Sequence, residues 1–203
     1  MTLSTVAAFD FDGTLTYRDT LLPFLLYCDG RFTAASKLLT ISPLLAFDVV
    51  RGIDRQKMKE RVLTRFFQGT SLVDLRQKGQ GFASEALPPH VRPEGLKRLK
   101  WHQDQGHRCI LISASVDVYL EPWAQALGFN DIITSKMEED SQGKATGRLL
   151  GKNCRGQEKV CRLEALIGPK EGNYTLYAYG DSPGDKELLQ RADHPFMKEM
   201  PDV

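Results

Sequence analysis

The chain has 203 residues, 41% of them hydrophobic and 26% charged, with a formal net charge of +1. This balance marks an ordinary soluble globular protein, one domain with room for a small insert, and excludes a global electrostatic pull toward nucleic acid. Cys28, Cys109, Cys154 and Cys161 show no C-x-x-C spacing, which argues against a zinc site and for buried or partly buried free thiols in a reducing compartment. The first strand begins within five residues, leaving no room for a signal peptide, so a cytoplasmic protein is expected.

Val6-Ala7-Ala8-Phe9 is a short apolar run that reads as a buried strand, and it leads straight into Asp10-Phe11-Asp12-Gly13-Thr14. Carboxylates at i and i+2 of an extended backbone point to the same side. Gly13 allows a sharp turn and a close backbone approach to a ligand. Acids at the carboxyl end of a parallel strand lie where open α/β sheets bind ligands. Two such carboxylates repel unless a cation joins them, and Mg²⁺ is the natural candidate for an all-oxygen site. One acid can then attack phosphorus while the other gives and takes a proton. A lone D-x-D pair is more simply a solvated turn. The pattern D-x-D-G-T arises by chance only about once in 10⁵ positions at average residue usage, which shifts the reading to a site.

This stretch resembles the first motif, D-x-D-x-T, of the haloacid dehalogenase superfamily. The resemblance implies Asp10 as a nucleophile that forms an aspartyl-phosphate, and Asp12 as the acid/base. Dehalogenating members lack the second Asp, so Asp12 points to phosphoryl chemistry.

The next seventy residues read as helical. Asp19 caps a helix through Leu21–Leu26, with Pro23 tolerated in its first turn. A second apolar stretch runs from Ala34 to Val50, interrupted by Pro43 and Asp48, and is too short and broken for a membrane span. Asp54 caps a third helix with Met58, Val62, Leu63, Phe66 and Phe67 on one side. Ser71–Leu87 is a fourth, weakened by Gly79 and Gly81 and ended by Pro88-Pro89. Two readings fit the apolar run Leu38–Phe47: a surface for lipid or a greasy substrate, or packing between helices, and packing is the expectation.

Glu94–Gln105 follows as a helix with Gly106 as its cap. His107–Ser113 is the second core strand, ending at Ser113-Ala114-Ser115. Val116–Leu127 is helical, Asp131–Thr134 a short strand, and 135–153 a polar, Gly-rich ribbon or loop. Asn153–Val160 opens a helix to Ile167. Tyr174–Tyr179 is a strand running into Gly180-Asp181-Ser182-Pro183-Gly184-Asp185. A capped helix start would explain one of those acids but not two. A short edge strand at Asp193–Phe196 ends the chain. His90 and His102 read as surface residues.

These segments complete the resemblance. An apolar strand ending in Ser or Thr is the superfamily's second motif and fits Ser113. A Lys ahead of the fourth motif is the third, and Lys159 is chosen for it, with Lys152 and Arg155 as the other candidates. G-D-x-x-x-D is the fourth and fits Asp181 and Asp185. The resemblance implies Mg²⁺ on Asp10, Asp181 and the Asp12 backbone carbonyl, with Asp185 acting through water or holding a ligand group. It also implies phosphate bound by Ser113, Lys159 and the N–H groups of Phe11, Asp12 and Ala114.

The expected fold is therefore α/β: a Rossmannoid three-layer parallel sheet from residues 1–16 and 89–203, with a small helical cap, residues 17–88, inserted after the first strand. That insertion is similar to phosphoserine phosphatase, while Asn-Cys-x-Gly-x-Glu-Lys-Val at 153–160 is closer to a bacterial group that includes phosphatidylglycerophosphatase C. Phosphoserine phosphatases carry a cap-entrance Glu where this chain has Asp19, and an Asn where it has Gly184. The expected activity is Mg²⁺-dependent hydrolysis of a phosphate monoester. The substrate would be a small phosphorylated metabolite, or a phospholipid head group met at the membrane surface. A non-catalytic phosphate- or Mg²⁺-binding module is the rival reading.

Overall fold

The computed structural model describes residues 4–201. Its centre is a five-stranded sheet in the order β3-β2-β1-β6-β7, built from β1 (Ser4–Phe9), β2 (Arg108–Val116), β3 (Asp131–Ser135), β6 (Tyr174–Gly180) and β7 (His194–Met197). All four pairings are parallel. β1 is buried on both faces, which is why it reads as an unbroken apolar run and not as an alternation.

Successive β1 side chains feed opposite layers. Ala7 and Phe9 join a core with Leu99 of α5 (Pro93–Asp104) and Leu120 and Trp123 of α6 (Asp117–Ala126). Val6 and Ala8 join a second core with Val160 and Leu163 of α7 (Gln157–Ile167) and Leu188 of α8 (Lys186–Arg191). The three layers follow from this two-sided burial. Because β1, β2 and β6 run parallel, their carboxyl ends, with Asp10, Ser113 and Asp181 on or just beyond them, come out at one edge of the sheet.

Between β1 and β2 lie α1 (Leu21–Asp29), α2 (Arg31–Val50), α3 (Arg55–Phe67) and α4 (Leu72–Gly81), the last running on through a π turn to Ala86. Asp54 and Ser71 cap α3 and α4 with their side chains. Thr20, not Asp19, is the N-cap of α1, and Asp19, one residue before it, accepts the Leu21 N–H at 2.8 Å. Residues 135–153 form a ribbon, β4 (Met137–Glu139) and β5 (Ala145–Leu149). The ribbon sits on α3: Glu60 accepts from the Leu149 N–H, Gln56 accepts from Asn153, and Gly147 fits against the Thr64 backbone with no room for a side chain.

Four expectations change. α2 is one continuous helix and does not break at Pro43. The Leu39 carbonyl that Pro43 leaves without a backbone donor accepts the Ser42 hydroxyl at 3.0 Å. Nor is α2 packed inside the helices: only Ala34, Ile41 and Asp48 are buried, while Phe32, Leu39 and Val50 are 94%, 73% and 86% exposed. Its inward stripe repeats every seven residues, so most of its apolar side chains fall on the outer face. His102 is fully buried, not on the surface. Its ring lies 2.8 Å from the Tyr179 hydroxyl and 2.7 Å from His107 Nδ1. Of the thiols, Cys109 and Cys154 are buried and Cys28 half-buried, but Cys161 is exposed.

Candidate active site

The turn after β1 is wound on one carbonyl. Phe11 C=O accepts the N–H groups of Thr14, Leu15 and Thr16 at 2.9 to 3.2 Å. Gly13 takes φ +77° within it, and a Cβ there would collide with Asp181. The glycine therefore serves twice, for the turn and for the approach of the β6 loop. The Phe11 side chain is buried against Trp123, so its part in the site is limited to its backbone.

Lys159, in the first turn of α7, is 2% exposed. Its ammonium donates to Asp10 Oδ1 and Asp185 Oδ1, both at 2.6 Å. Gly156 anchors that helix start to the β6 loop through its N–H and the Gly184 carbonyl, at 2.8 Å. Burial opposes the Lys159 charge, but the two carboxylates outweigh it and hold the ammonium above its ordinary pKa. Lys152 is exposed and lies outside the cleft, whereas Arg155 lines it.

Asp10, Asp181 and Asp185 bring one carboxylate oxygen each to within 4.8 Å of one another. Asp10 is pushed up to about 7 by burial, with Lys159 pulling the other way and Asp185 adding to the rise. Burial and Asp185 also raise Asp181. Asp185 is itself held low: burial opposes its charge, but Lys159 and Ser182 overcome it. Both Asp185 oxygens are engaged, Oδ1 by Lys159 and Oδ2 by the Ser182 hydroxyl and N–H at 2.9 and 3.1 Å. Three crowded hard-oxygen donors, two of them with raised pKa, suit a small divalent cation.

The Asp12 carboxylate takes no part in that cluster. Its Oδ1 accepts from the Thr20 N–H at 2.8 Å and the Thr20 hydroxyl at 2.7 Å, and its Oδ2 accepts from Ser115. The Tyr119 hydroxyl stands 3.0 Å behind Thr20. Burial and the nearby Asp19 lift Asp12 to about 6 despite these bonds, which keeps its proton exchangeable near neutral pH. Ser113 and Ala114 line the same cleft of about 410 Å³, as do Gly13, Asp19 and Arg55.

A family profile described as haloacid dehalogenase-like hydrolase matches residues 7–190. Protein CicA of Caulobacter vibrioides is 32% identical over 188 residues, 93% of this chain and 83% of that protein. The chain belongs to the haloacid dehalogenase-like hydrolases. A histidinol-phosphatase of Neisseria meningitidis is 27% identical over 128 residues, covering 60% of this chain and 57% of the relative. Family and relatives class the protein as a phosphoric monoester hydrolase. Among solved structures, a Bordetella pertussis protein of unknown function superposes with a TM-score of 0.78 at 24% identity, covering 93% of this chain and 87% of the other. A phosphoserine phosphatase bearing a phospho-aspartyl intermediate analogue gives 0.60 at 14% identity, covering 94% and 84%. These two likenesses show the shared fold.

All nine residues singled out from the hydrolase's sequence cluster at this edge of the sheet. Sequence reasoning missed the holders of Asp12, namely Thr20, Ser115 and Tyr119. Thr20 is separated from Asp12 by eight positions, and Tyr119 looks like any helical core aromatic. Ser115 was visible beside Ser113, but nothing in a strand end says which of two serines faces which acid. Lys59 of α3 was missed as well. It donates to the Ala114 carbonyl and is lowered by burial, joining the helical insert to the end of β2.

Proposed function

We propose that the enzyme is a Mg²⁺-dependent phosphatase that cleaves a phosphate monoester through an aspartyl-phosphate on Asp10. The observation that carries this reading is the buried Lys159 ammonium bonded to both Asp10 and Asp185, with Asp181 beside them. An ion pair this deeply buried costs desolvation and is weak evidence for stability alone. A fixed positive charge beside a nucleophile and a cation site is what phosphoryl transfer needs.

Asp10 attacks in line, forming an O–P bond as the bond to the leaving alcohol breaks. Asp12 gives its proton to that alcohol, held in position by Thr20 and Ser115. Asp12 then takes a proton from the water that attacks phosphorus, which releases inorganic phosphate and restores Asp10. Ser113, Lys159 and the N–H groups of Phe11, Asp12 and Ala114 hold the phosphoryl oxygens. Asp10, Asp181 and the Asp12 carbonyl, with Asp185 behind them, would hold Mg²⁺, which would supply further charge neutralisation. Helices α1–α4 act as a cap that excludes water, and Asp19 at their entrance meets the leaving group.

Phosphate release from p-nitrophenyl phosphate, with and without a chelator, tests the reading. Asp10→Asn should abolish release and prevent trapping of beryllium fluoride. Near-normal release would overturn the nucleophile assignment, and Mg²⁺ binding without turnover of any ester would favour a binding module.

A second reading, attack on a lipid-borne phosphate at a membrane surface, draws support from the outward apolar face of α2, which has mean hydropathy 1.4 with 17% of its span buried. None of that helix lines the cleft. Binding to and hydrolysis of phosphatidylglycerophosphate in vesicles would support it, and absence of the protein from vesicle pellets would count against it.

A further inference from the structure

We infer that the cleft mouth takes a leaving group that itself carries an acid, a carboxylate or a second phosphate, and that Arg155 reads it. The inference rests on the phosphatase reading and extends it to the other end of the substrate.

The floor of the cleft holds the carboxylates and Lys159. Its remaining charged lining is Arg18, Arg55, Arg92, Arg155 and Lys198, opposed by Asp19 alone. Among the described residues, Arg18, Arg55, Arg155 and Lys198 make no side-chain hydrogen bond and no ion pair. Arg92 reaches Glu94 only at 4.0 Å, and its Nε is buried without a hydrogen-bond partner. Arg18, Arg55 and Lys198 are exposed at the cleft rim, while Arg92 and Arg155 are half-buried in its lining.

Arg155 is the best fixed of them. A Cβ at Gly184 would collide with its guanidinium, so the side chain occupies the space that any larger residue would fill. The bond from the Gly156 N–H to the Gly184 carbonyl keeps the two loops together. Asp185, the next residue, belongs to the floor cluster. Arg155 thus borders the cleft beside the loop that carries Asp181 and Asp185. A guanidinium presents a planar fork that pairs with two oxygens of a carboxylate or a phosphate. A neutral leaving group would leave the fork unused, and an ammonium would be repelled.

A set of three-carbon esters isolates the effect: glycerol 3-phosphate, 3-phosphoglycerate, glycerol 1,3-bisphosphate and serinol phosphate. In the wild-type enzyme both acidic esters should exceed glycerol 3-phosphate in kcat/KM by about tenfold or more, with serinol phosphate below it. The advantage should shrink as salt rises, because the mouth is open to solvent. Arg155→Gln should reduce the advantage to about threefold or less, and Arg155→Lys should recover only part of it. The carboxylate and bisphosphate arms tell which acid is preferred. Equal rates across the set, or an equal fall for every ester in Arg155→Gln, would overturn the inference. The same esters titrated calorimetrically into Asp10→Asn report binding without turnover. If no ester is hydrolysed, the phosphatase reading fails, while the order of affinities still upholds or overturns the acid-reading role of Arg155.

Discussion

At the scale of single residues the site depends on one buried cation. Lys159 balances two carboxylates that lie within reach of each other, and no other ammonium or guanidinium among the described residues bonds to either. Removing one member of a buried pair leaves the rest uncompensated, which usually costs about 3–5 kcal/mol. Lys159→Met keeps the volume of the side chain and removes the charge. Its expected effects are loss of phosphate release and a lowered midpoint in thermal unfolding of the metal-free protein. Mg²⁺ should restore part of the midpoint but none of the turnover, because a cation can offset the repulsion between Asp10 and Asp185 without holding a phosphoryl oxygen in place of the ammonium. An unchanged midpoint in metal-free Lys159→Met would show that the carboxylates are already protonated or solvated.

At the scale of elements, packing overrules local propensity. Helix propensity alone makes Gly79 a defect in α4, and Ala there should gain about 1 kcal/mol. In the fold α4 crosses α6 so closely that a Cβ at Gly79 would strike the Val118 carbonyl. Gly79→Ala should therefore destabilise by about 1–3 kcal/mol, the usual cost of overpacking, and chemical denaturation would read the sign directly. The same contrast marks how much was legible. Strand ends and their motif residues were readable because burial on both faces writes an apolar run and the acids follow it in sequence. Contacts between the insert and the rest were not, since Lys59 to Ala114 and the ribbon on α3 join segments with nothing in common in the sequence. The exposed face of α2 was misread for a related reason. Apolar composition says that a helix avoids water, but only the seven-residue spacing of Ala34, Ile41 and Asp48 says how little of it meets the rest of the protein.

At the scale of the whole molecule, the sheet carries a second polar centre, away from the cleft, whose effect is on stability. Under the β1–β6 pair, His102 meets the Tyr179 hydroxyl, which also accepts from Arg98 at 2.6 Å, and the rings of Phe9, Trp101, His107 and Tyr177 enclose it. Burial, with Arg98 and His107 adding to it, pushes the His102 imidazole down to about 3. In the unfolded chain the same group titrates near pH 6.5. Between those values the unfolded state binds a proton that the folded state refuses. The contribution is complete above about pH 6.5 and is lost as pH falls toward 3, with a slope of at most about 1.4 kcal/mol per pH unit. Asp10 and Asp12 act in the opposite sense. Their folded values of about 7 and about 6 lie above the ordinary carboxylate range, so in metal-free protein their contribution is lost as pH rises through those values. Unfolded carboxylates titrate near pH 4, so between about pH 4 and 6.5 these contributions fall with pH while that of His102 rises, and the His102 effect is read as a difference between variants. His102→Gln keeps a hydrogen-bonding group toward Tyr179 and cannot titrate. Urea unfolding at half-unit steps from pH 4.5 to 8 should show the stability of the wild type relative to this variant rising with pH up to about 6.5 and level above it. A difference that stays constant across this range would show that His102 has no part in the pH dependence.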